Sequence, residues 1–256
     1  MSDPSEPQPK VVRPASIESR AAVGTPRISV RDYMAGQHLW NARYEAWLCR
    51  EREDKILTKA GVDRPHRSHA MAAVLSAVAF LEAMVNEIWQ DAADSQPGQR
   101  TSHTQGISDP ALTIMRELWT GKEHAERAMS TLSKYQLALV CAGQDRIIKG
   151  KEPYQSVDVL IDLRNELGHF KPRWWHGDGT DEARYLASLR DKLAGRENRQ
   201  PIGNPWYPHK VLGAGCADWA CNSAIDFTRE WHSRIGLTYD FDECYMLPFE
   251  PVEIGE

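Results

Sequence analysis

The stretch Tyr154-Gln155-Ser156-Val157-Asp158-Val159-Leu160-Ile161-Asp162-Leu163-Arg164-Asn165-Glu166-Leu167-Gly168-His169 decides how this chain is read. Val157, Leu160, Ile161 and Leu167 recur at helical spacing, while Asp158, Asp162 and Glu166 fall on another stripe, so the segment is an amphipathic helix with one buried face. Gly168 is the residue best able to leave the right-handed region and Pro172 bars continuation, which predicts an end just before or at His169. At about 100° per residue, Arg164 and His169 lie roughly 140° apart on an ideal helix, whereas Asn165 and His169 share a side. The helix must bend or end for all three to converge.

Working outward, the most apolar segment is predicted as a helix over about 66–94, with Ala70, Ala73/Val74, Ala77/Val78, Leu81, Met84/Val85 and Ile88 in a wide stripe. Glu82 and Asn86 are polar residues in this apolar setting, and buried polar groups need partners. They are expected either to hydrogen-bond to the Arg164 and His169 region or to bond a loop. A helical pattern also covers about 30–58, closed by Gly61 and Pro65. Further helices are predicted over about 110–119 with Asp109 as cap, 123–149 ending at Gly150, 181–194, and 209–235 with Gly236 as the stop. Gln96 to Asp109 and Gly195 to Pro208 read as loops. No stretch alternates with strand periodicity, so the expected class is all-α, a helical bundle with extra peripheral helices and loops. Residues 1–28, with five prolines, are expected to be a flexible arm, 29–238 a single domain and 239–256 an acidic tail.

The 256 residues suffice for a sizeable core, and a hydrophobic fraction of 41% with nine Trp argues for a globular chain rather than a disordered one. The net charge of −5 argues against a protein held to nucleic acid by its global field, while leaving room for a local basic groove. No apolar run reads as a membrane span and the polar, Pro-containing start lacks a signal-peptide core, so the expectation is a soluble cytoplasmic protein with no membrane partner. Cys49, Cys141, Cys216, Cys221 and Cys244 are odd in number and show no CxxC spacing, so reduced thiols are expected rather than disulfides or a zinc site. His66, His69, His103 and His124 show no zinc-ligand spacing, and Gly213-Ala214-Gly215 follows no strand and is not a dinucleotide loop.

Arg164, Asn165 and His169 resemble the R-polar-x(3)-H signature of HEPN domains, the all-helical nucleotide-binding and RNA-cleaving superfamily of prokaryotic defence systems and some eukaryotic proteins. Ser76 to Trp89, with its Glu82 and Asn86 one turn apart, looks like the long first core helix of that family, and the resemblance covers roughly residues 67–236. It implies a metal-independent endoribonuclease, a hydrolase without cofactor, formed as a homodimer whose two motifs face each other across a shared cleft, in prokaryotic defence or a toxin pair with an antitoxin or sensor partner.

The chemistry of the residues is consistent with that implication. Cleavage of RNA by its own 2′-hydroxyl needs a base, an acid and positive charge on the crowded phosphate. Histidine titrates near neutrality and serves as base or acid. Arginine offers a planar fork of donors to phosphate oxygens, and Asn165 can donate to phosphate or orient the imidazole. One chain supplies one histidine, which is one proton-transfer group too few. Glu82, Asn86 and Glu166 are the expected support, and Lys171, Arg173, Trp174 and Trp175 form a basic and aromatic patch suited to RNA. Two other readings compete. An Arg and a His at a helix C-terminus are favoured there by the helix dipole with no function, in a non-catalytic interaction or nucleotide-binding module. Glu166-x-x-His169 is also the ligand pair of di-iron bundles, but the site needs two such pairs and the sequence has one.

Overall fold

A computed structural model describes residues 18–20, 27–121, 125–172, 184–203 and 205–242. The chain divides into two units, Met1–Tyr33 and Met34–Glu256. In the first, β1 (Glu18–Arg20) pairs antiparallel with β2 (Arg27–Ser29), Ser19 opposite Ile28. All of this three-residue ladder but Ser29 lies in the segment expected to be a flexible arm, residues 1–28.

The second unit is all-α, as the periodicity predicts. Its long helices are α1 (Ala35–Lys55), α2 (Arg64–Asp94), α6 (Tyr154–Gly168) and α9 (Ala214–Ile235). Shorter ones are α3 (Asp109–Thr120), α4 (Ala125–Ala128), α5 (Thr131–Cys141), α7 (Arg184–Lys192) and α8 (Trp206–His209). The central helix is α2, which packs against α1, α9, α3, α6 and α5. It is long and apolar enough to cross a membrane by length and composition, which the sequence reading did not recognise. Here its stripe from Ala70 to Trp89 is buried against its neighbours, the position of a core helix. The side chains of Trp89, Tyr135 and Trp231 are fully buried, and each polar tip finds a main-chain carbonyl: Trp89 donates to Lys134 at 3.3 Å, Tyr135 to Leu81 at 2.8 Å and Trp231 to Tyr135 at 2.9 Å.

Helix α1 is fixed to α2 at both ends. At its start, the Glu87 carboxylate accepts from the Met34 and Ala35 N–H groups at 2.6 and 2.8 Å, filling two of the donors a helix start leaves open. At its finish, Asp63, the N-cap of α2, accepts from Arg52 at 2.6 and 3.0 Å, from Lys59 at 2.7 Å and from the His66 N–H at 3.0 Å.

Several boundaries differ from expectation for local reasons. The 123–149 segment is not one helix: Ser130 caps α5 through the Ser133 N–H at 3.3 Å, and α5 ends at Cys141 as Gln144 returns its N–H to Leu139 at 2.8 Å. Ile147 is nonetheless buried, because Gln136 clamps its N–H and C=O at 3.0 and 2.8 Å. Ser108 caps α3, with Asp109 in its first turn rather than at the cap. The last helix begins at Ala214 instead of 209, and Gly236 stops it with φ +89° as its predicted role requires. The packed body runs on to Asp242, beyond the expected start of the tail at 239, with Phe241 stacked on Phe80 at 5.7 Å.

Candidate functional site at the end of helix α6

Helix α6 buries Val157, Leu160 and Leu163 and continues through Gly168. His169 is its C-cap, at φ −117° and ψ 30°, with its N–H on the Asn165 carbonyl at 2.9 Å. Arg164 is 29% exposed and turns toward α2, where its Nη2 donates to Glu82 Oε1. Asn165 and His169 are exposed one turn apart, and among the described residues their side chains make no hydrogen bond. Glu166 is half-buried, and Lys171 and Phe170 are exposed just past the helix. Arg173, Trp174 and Trp175 lie outside the described residues.

Of the expected supporting pair, Glu82 meets Arg164 and Asn86 does not. Glu82 Oε1 also accepts from Thr131 Oγ1 at 3.3 Å, whereas Asn86 Oδ1 accepts from Lys134 Nζ at 2.8 Å. Neither residue is fully buried; the Glu82 side chain is 43% exposed. Lys134 is the residue the sequence reading missed here. Its ammonium also lies over the Trp119 ring, 5.1 Å from the centroid, and burial lowers its pKa against the upward pull of Glu126 and Glu82. A surface groove of about 460 Å³ lined by Glu152, Asp226, Arg229 and Glu230 sits at the other end of α6, and its carboxylates are engaged by Lys192, Arg229 and Arg234.

A second polar cluster is buried between α1, α2 and the start of α9. Glu53, 1% exposed, accepts from the Arg199 N–H and Nε at 3.2 and 3.1 Å through Oε1, and from His66 Nε2 and the Ala214 N–H at 2.7 Å each through Oε2. Burial pushes the Glu53 pKa up, but the hydrogen bonds from His66, Ala214 and Arg199 outweigh it and hold the carboxyl at about 2. Cys49, Glu53 and His66 have ligand atoms within 4.8 Å of one another. Their chemistry is not that of a metal centre. Both oxygens of Glu53 already accept two hydrogen bonds each, and the Cys49 thiol, raised in pKa by burial, donates to the His66 carbonyl at 3.6 Å where a metal requires thiolate. The cluster is a structural hub. The backbone packs tightly around it: a Cβ on Gly213 would lie 2.8 Å from Glu53 Oε2, and one on Gly215 would lie 2.1 Å from the Arg196 carbonyl oxygen.

The chain matches no protein-family model, and neither curated proteins nor solved structures yield a match. No family is assigned by comparison. The functional reading rests on the residues at the end of α6.

Proposed function

We propose that this protein is a metal-independent endoribonuclease of HEPN type, working as a homodimer in prokaryotic defence or in a toxin pair. The observation that supports the reading is the end of α6, where Arg164 is held by Glu82 while Asn165 and His169 stand exposed on the last turn. Arg164 uses one nitrogen on Glu82, so other donors of its fork remain to meet a phosphate. His169 acts as general base in one protomer, and its copy in the partner protomer acts as general acid toward the leaving 5′-oxygen. Asn165 positions the phosphate or the imidazole. Exposed Lys171, with Arg173, Trp174 and Trp175, holds the RNA strand. The products are a 2′,3′-cyclic phosphate and a 5′-hydroxyl.

The test is incubation of the purified protein with RNA in EDTA beside a His169→Ala variant. Cleavage by the wild-type chain and a loss of about 10² or more in the variant are expected. Equal activity in the two preparations removes His169 from the mechanism, and absence of cleavage at every protein concentration removes the enzyme. A second reading draws on the fact that Arg164 is already engaged by Glu82: a non-catalytic binding module in which the motif builds a seam. RNA binding without cleavage, unchanged by His169→Ala, is the result that favours it.

A further inference from the structure

Two rungs join α2 to α5 beside the motif. Glu82 pairs with Thr131 and Asn86 with Lys134, so the residues on each helix are one turn apart and the rungs are neighbours. The two rungs differ in charge. On the first, the Glu82 carboxylate is shared between Arg164 and Thr131. On the second, the Lys134 ammonium has an amide oxygen and an indole face as partners, and among the described residues no carboxylate lies within ion-pair distance of it. Lys134 is 7% exposed, so this cation is largely withdrawn from water while an anion sits one turn away. The Glu82 side chain, at 43% exposed, has room to change rotamer.

We propose that Lys134 is a positioning residue that receives the Glu82 carboxylate when a phosphate group claims Arg164. The inference rests on the reading of Arg164 as the phosphate-binding group. In the free protein Glu82 neutralises Arg164 and holds its guanidinium toward α2. When an RNA phosphate binds the guanidinium, Glu82 would face an incoming anion; swinging toward Lys134 removes that repulsion and brings a carboxylate to ion-pair distance of the ammonium, which otherwise feels Glu126 and Glu82 only from farther away. Lys134 does not touch the RNA. It lowers the cost of releasing Arg164, so its contribution depends on the charge of Glu82.

That dependence gives the test, a double-mutant cycle on binding of a 2′-O-methyl RNA oligonucleotide, which lacks the attacking hydroxyl and stays intact, read by fluorescence anisotropy. Lys134→Met is expected to raise Kd by about fivefold or more in the wild-type background, within the span of coupling energies between contacting groups, and by less than about twofold in a Glu82→Gln background. Unchanged binding by Lys134→Met overturns the proposal. So does an equal loss in both backgrounds, which is what a direct attraction of Lys134 for RNA or damage to the fold produces. Lysine Nζ NMR of the wild-type chain provides the check that needs no Lys134 variant: the Lys134 pKa rises on oligonucleotide binding if Glu82 arrives, and a Glu82→Gln chain shows no such rise. A Lys134 pKa that stays fixed, or that rises equally in Glu82→Gln, overturns the proposal. If Arg164→Ala binds the oligonucleotide as tightly as wild type, Arg164 is not the phosphate group and the hand-over falls with it. If the oligonucleotide binds through Arg164 but unmodified RNA is not cut, the endoribonuclease reading alone falls.

Discussion

Replacing Glu53 by Gln keeps the shape of the buried hub and removes its charge. The wild-type carboxyl titrates at about 2 in the folded chain, from an ordinary value of 4.5. That difference corresponds to about 3 kcal/mol of stability at neutral pH, because one pKa unit is worth about 1.4 kcal/mol. The folded pKa is depressed, so this stability is present in full above pH 4.5 and is lost as the pH falls toward 2. By pH 3 about 2 kcal/mol of it is gone. Gln also places an amide N–H₂ against the donors from either Arg199 or His66 and Ala214, leaving buried donors facing each other. A destabilisation of about 3–5 kcal/mol is therefore expected at pH 7. Urea denaturation of both chains at pH 7 and pH 3 measures it. The wild-type advantage should narrow by about 2 kcal/mol at the lower pH, because the variant has no carboxylate to protonate. An advantage under 1 kcal/mol at pH 7, or one that does not change with pH, refutes the assignment of Glu53 as a charged hub.

A separate pH window belongs to His232, 5% exposed, whose pKa is pushed down to about 4 by burial and then by the charge of His103. Its neutral form is the folded one, so stability is intact above pH 6.5 and falls by about 3 kcal/mol as the pH drops toward 4. A His232→Phe chain followed by thermal melts should lose that acid slope while keeping the lower one from Glu53; an unchanged slope counts against it. Gly215→Ala brings a methyl to 2.1 Å from the Arg196 carbonyl oxygen, and the resulting shift of backbone is expected to cost about 1–3 kcal/mol, read as a lowered urea midpoint. A midpoint equal to wild type means the 196–198 loop yields freely.

The helices that carry the candidate site were legible because their signals are local. The apolar stripe of α2, the run into Arg164-Asn165-Glu166-Leu167-Gly168-His169 and the stop at Gly236 each depend on neighbours within one or two turns. Glu82 reads in sequence as a buried polar group meeting either the Arg164 region or a loop; it meets Arg164, with its side chain 43% exposed rather than buried. Asn86 was assigned to the wrong neighbour, since nothing in its spacing marks Lys134, 48 residues away. The Glu53 hub was invisible for the same reason: its donors are 13, 146 and 161 positions distant. The false extension of α5 has a different origin. Ile147 continues the helical period past Cys141, yet its burial comes from the Gln136 clamp rather than from a helix face.

Anchoring α1 at both extremities has a mechanical meaning. With Glu87 gripping its first residues and Asp63 gripping Arg52 near its last turn, α1 cannot creep along its neighbour by a one-turn step of about 5.4 Å without breaking both attachments together. The pair is indexed like a bolt held at two threads. Its amides should exchange with deuterium as one slow block.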